Sequence, residues 1–140
     1  MATAANWHAT DMLPDDVLTA VFTLAKEDSN ARELTFRGHD SSLQRMFWKL
    51  TRTCRNRFLK PFVFSNRGPE PYSPVLSESI SRLQLSGFVG RDNPDYEVML
   101  VKPAAEDYFN RELRTHLTEK DLGELRRLAK RFLQLISATR

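Results

Sequence analysis

Cysteine is almost absent from this 140-residue chain. Cys54 stands alone, so no internal disulfide framework is possible, and a reducing compartment is expected. No apolar run approaches the roughly 18 residues of a membrane span. The opening MATAANWHATDM has neither the basic stretch nor the apolar run of a secretory leader. A cytoplasmic protein with no membrane contact is therefore the expectation, with residues 1–12 as a loose tail. Histidine is scarce too: His8, His39 and His116 are scattered, and with one thiol they make no zinc-type spacing. There is no glycine-rich phosphate loop and no Gly-x-Ser-x-Gly elbow. Asp92, Asp95 and Glu97 lie close together, but turn formation accounts for the two aspartates. Cys54 falls on an apolar helical stripe and reads as a core residue. These absences point to a non-catalytic chain without metal or cofactor.

Negative charge is missing from one segment in particular. The formal net charge is only +3, yet residues 37–67 hold eight basic side chains against one acid, Asp40. Residues 1–36 carry six acids and two bases, and residues 68–140 carry eleven of each. The whole positive excess therefore sits in one short stretch, which marks a surface for an anionic partner.

Periodicity places that stretch on a helix. In SSLQRMFWKLTRTCRNRFLKPF, Leu43, Phe47, Leu50, Cys54 and Phe58 recur at steps of three and four, so they share one face. Ser41 or Ser42 suits the cap, and Pro61 is the expected stop. Upstream, LPDDVLTAVFTLAKE reads as a helix with Pro14 in its first turn and Val17, Val21 and Leu24 on a stripe. A short strand is expected at about 34–36. A third helix, about 74–86, has Ser73 as cap, Leu76, Ile80 and Leu83 as buried stripe, and Gly87 as stop. Two extended pieces, 88–91 and 96–101, flank the turn formers Asp92, Asn93, Pro94 and Asp95 and predict a β-hairpin. Helix resumes after Pro103, and a last helix begins at Thr118, where TEKD resembles a capping box.

The fold class expected is mostly α (α+β): a winged helix with a hairpin wing, occupying 13–140, with 104–140 a helical extension. A basic helix, a second helix ending in LSGFV and a hairpin directly after the glycine is the winged-helix order. More narrowly, Leu43-Gln44, Gly68-Pro69 and Tyr72-Ser73-Pro74 resemble the Panacea-type (SocA-like) antitoxin domains and the YwgA-like prokaryotic proteins. The resemblance covers about residues 40–105. Glu70 and Pro71 interrupt the compact form of the motif, and Val75 stands where an acid is usual. It implies non-enzymatic binding, either to DNA or to a protein such as a toxin.

Arg45, Lys49, Arg52 and Arg55 step along one helical stripe and are the candidate phosphate contacts, with Arg57 and Lys60 beyond them. The same stripe suits an acidic protein partner. Ser77, Ser81 and Gln84 form one outward face of the following helix, and Arg82 lies on another; all four are competent for groove contacts. The last helix presents Leu122, Leu125, Ala129, Phe132 and Ile136 at heptad-like steps. An apolar face that wide needs cover, supplied either by the chain's own domain or by a second copy in a homodimer. Double-stranded DNA, an acidic protein and a second copy are thus the partners the sequence suggests.

Overall fold

In the computed structural model, the residues described are 12–30, 33–37, 40–66, 68–91 and 98–138. The N-terminal tail, the turn of the hairpin at 92–97, His39 and Arg67 lie outside them. Helix α1 (Pro14–Ser29) starts as expected on Pro14, with Asp15 and Asp16 at its positive end. Every residue from Val17 to Ala25 is buried, so α1 is the central rod of the molecule and is covered on all sides. Met12, expected in the tail, belongs to the core.

Strand β1 (Thr35–Arg37) follows, then α2 (Asp40–Thr53). The chain next makes a 3₁₀ turn over Arg57–Leu59 and reaches α3 (Pro74–Leu85) across a turn closed by the Ser65–Tyr72 bridge. Strands β2 (Val89–Arg91) and β3 (Val98–Val101) complete a three-stranded antiparallel sheet of order β1-β3-β2. Phe36 stands opposite Met99, and Val89 opposite Val101; these four form the sheet's core-facing side. After β3 come α4 (Pro103–Tyr108), a π-helical turn over Phe109–Leu113, a 3₁₀ turn and α5 (Glu119–Ala138). The class is mostly helical with one small antiparallel sheet.

Local signals explain most of the boundaries. Ser73 Oγ accepts the Leu76 N–H and caps α3. At the other end, Gly87 takes φ +77°, and Phe88 N–H and Gly87 N–H donate to the Leu83 and Gln84 carbonyls. This pair of bonds is a Schellman stop, and it turns the chain straight into β2. The box before α5 also forms: Thr118 Oγ1 accepts from Asp121 N–H, and Asp121 accepts from Thr118 N–H.

Two expectations need correction. Helix α2 begins at Asp40, so Ser41 and Ser42 lie inside it, and it ends at Thr53 rather than at Pro61. Asn56 ends it: its Oδ1 accepts from Phe58 N–H, and its Nδ2 donates to the Glu124 carbonyl of α5. Arg55, Arg57 and Lys60 are consequently off the helix. Secondly, Leu125, Ala129, Phe132 and Ile136 are buried inside this chain, with Leu122 partly so, and they offer no homodimer interface. The face of α5 is taken by α1 and α2. Its centre is Phe132, whose ring packs on Phe22, Phe36 and Phe47 with centroids 5.2–5.6 Å apart. Residues expected as a helical extension therefore build the same core as the rest.

Candidate functional site

The outward face of α2 is where the excess charge lies. Because Leu43, Met46, Phe47 and Leu50 are buried, Arg45, Lys49 and Arg52 point to solvent as one row. Arg45 is paired with Glu70 of the following turn at 2.8 Å, and both are about half exposed. Such a pair is worth roughly 0–1 kcal/mol and yields readily to a polyanion. Arg52 lies over the Trp48 ring, 5.5 Å from its centroid, which holds the guanidinium outward. Among the described residues Lys49 and Arg55 take part in no ion pair.

The row begins beside α3, and a buried side chain fixes that. Gln44 donates from Nε2 to the Ser73 carbonyl at 3.0 Å and accepts the Ser73 N–H at 2.7 Å. It thus pairs with the cap residue of α3 as a neighbouring strand would. Leu43-Gln44 and Tyr72-Ser73-Pro74, two separate motif pieces in the sequence, meet at this clamp. Gln44→Leu is expected to lower stability by about 2–4 kcal/mol, because both backbone groups of fully buried Ser73 lose their partner. A drop in the urea midpoint reads this directly.

Helix α3 exposes Ser81 fully and Ser77 and Gln84 partly, beside Glu78. Arg82 is not free for a partner. Its guanidinium forks onto the Asp15 carboxylate of α1, with Nε and Nη2 at 2.8 and 2.9 Å, and also reaches Ser79. At the end of the helix Leu85 is 88% exposed. Arg57 is likewise committed, paired with Asp121 and, at 3.0 Å, with Glu124. Of the sequence candidates, Arg45, Lys49 and Arg52 stand together on α2, with Ser77, Ser81 and Gln84 on the next helix. Arg55 stands apart, and Arg82 serves the α1–α3 contact.

That contact carries opposed titrations on adjacent residues. For Asp15, burial alone would raise the carboxyl, but the Arg82 fork outweighs it and holds it below its usual range. Asp16 is pushed up, chiefly by burial, and accepts a hydrogen bond from the Tyr108 hydroxyl at 2.9 Å. Burial, then the Asp16 charge, pushes the Tyr108 phenol up from 10.0 to about 12. The folded chain therefore keeps this proton at a pH where the unfolded chain has lost it. Its contribution is complete below pH 10 and lost as pH rises through 12. Tyr108→Phe is expected to flatten that part of the curve of urea midpoint against pH.

Sequence reasoning missed Arg127 and Lys130, both exposed on α5. The balanced charge of 68–140 hid them, although residues 125–140 hold five bases and no acid. No helix among the described residues is long and apolar enough to cross a membrane. Comparison with protein-family models, curated proteins and solved structures finds no match.

Proposed function

We propose that this is a non-catalytic binding module of winged-helix type that engages the phosphates of double-stranded DNA through α2. The element order α1-β1-α2-α3-β2-β3 and the sheet order β1-β3-β2 support the winged-helix reading. So does the glycine-mediated entry from α3 into the hairpin. The observation that carries the function is the acid-free outward row of Arg45, Lys49 and Arg52, clamped by Gln44 to the start of α3. In this reading the cations hold the backbone, and the small polar face of Ser77, Ser81 and Gln84 approaches the groove. Because α3 has no uncommitted cation, binding rests mostly on phosphates and depends little on sequence.

A second reading, an antitoxin- or adaptor-like module for an acidic protein, is favoured by Leu85. A leucine almost wholly exposed at the end of α3, next to a basic row, suits an apolar anchor ringed by charge. Fluorescence anisotropy of a labelled random duplex, titrated at two salt concentrations, separates the two. The DNA reading predicts measurable affinity that weakens steeply with salt. Absence of binding at low salt refutes it and leaves the acidic protein.

A further inference from the structure

The far end of α2 carries a second feature that the duplex reading does not use. The helix is 14 residues long, about 20 Å at its usual rise, with α3 at its first turns and α5 at its last. Where the chain leaves α2, Arg55, Asn56 and Arg57 form one wall of a cleft of about 520 Å³, and Glu124 and Arg127 of α5 form the other. Its size lies within the range of small-ligand sites.

The charge in this cleft is unevenly spent. Its carboxylate, Glu124, is taken by Arg57, which also holds Asp121 just behind. Arg55 and Arg127 are exposed and, among the described residues, in no ion pair. Lys60 lines an adjoining cleft that shares Arg55, and Lys130 lies beside Arg127; both are likewise unpaired among the described residues. Arg126 is different, because Glu27 and Asp28 hold it. The Arg57 cluster leaves one negative charge, and the carbonyl end of α2 adds roughly half of another. Four unpaired cations exceed that. The backbone N–H groups of Arg55 and Asn56 also have no acceptor among the described residues. Two guanidinium forks on opposite walls match the oxygens of a tetrahedral, multiply charged anion better than a single carboxylate.

We propose that this cleft binds a phosphoryl group held between Arg55 and Arg127. The site is independent of the α2 row and stands or falls separately from the duplex reading. Two sources supply that chemistry: a free phosphate compound, or the backbone of a nucleic acid passing the end of α2.

The test is calorimetric titration of the full chain with pyrophosphate at constant ionic strength. Wild type is compared with Arg55→Gln/Arg127→Gln and with Arg111→Gln, an exposed cation elsewhere. Saturable binding is expected in wild type and in Arg111→Gln, weakened about tenfold or more for each guanidinium lost in the double variant. Both replaced side chains are exposed, so an unchanged thermal midpoint confirms that the fold is intact. No saturable binding by wild type, or equal binding by the double variant, overturns the proposal. Titrating the same proteins with a random duplex then assigns the source. A matching loss of duplex affinity identifies a backbone phosphate, and an unchanged duplex affinity identifies a free phosphate compound.

Discussion

Phe132→Ala is expected to lower the free energy of unfolding by about 3–5 kcal/mol. The ring is fully buried and touches Phe22 of α1, Phe36 of β1 and Phe47 of α2, so three separate elements lean on it. None of them can move inward alone without leaving its own partners, so the cavity stays largely open. Natural domains have only about 5–15 kcal/mol in hand, so the loss is a large share of the total. It corresponds to a fall in thermal midpoint of roughly 10–15 °C for a chain of this size. Phe132→Leu, which keeps most of the volume, is expected to lose far less. The midpoints of both variants are expected to be independent of protein concentration. A concentration-dependent midpoint would mean that this face is shared between copies after all.

The second large effect concerns binding. Replacing Arg45, Lys49 and Arg52 together by glutamate is expected to abolish most duplex affinity while leaving the fold intact. All three side chains are exposed, and the only pair broken is the surface contact with Glu70. Each phosphate contact removed takes about 0.9 from the slope of log affinity against log salt, so the slope should flatten by about 2.7. The change in slope is the diagnostic quantity, since general loss of folded protein lowers affinity without altering it. The expected drop at low salt is on the order of 10²- to 10³-fold. A variant with the wild-type slope would place the phosphate contacts elsewhere.

What could be read in advance divides by the range of the interactions concerned. Ser73, Gly87 and the Thr118–Asp121 box act on residues one turn away, so the edges of α3 and the start of α5 follow from neighbouring residues alone. The end of α2 does not, because Asn56 and Arg57 leave the helical path for partners on α5 some 64 to 68 residues later. The same holds for Arg82, whose outward position on α3 suggests a groove contact until Asp15, 67 residues earlier, is seen to hold it. The strands show both cases. The turn-forming residues at 92–95 announce the hairpin, whereas β1 finds β3 only through tertiary packing, and three residues carry too little pattern to foretell that. As for α5, the wide apolar face was visible, but periodicity cannot say which surface covers it. The basic row on α2 was readable because a helix with one apolar stripe must expose the opposite one.

Amide chemical-shift mapping of the isotopically labelled chain with an unlabelled random duplex at low salt tests the α2 row most directly. The expected result is a contiguous set of shifts at Arg45, Lys49 and Arg52 and along Ser77, Ser81 and Gln84 of α3, fading as salt is raised. If those amides stay unmoved at saturating duplex, the α2 row is not a phosphate-binding surface, and the acidic protein partner takes its place.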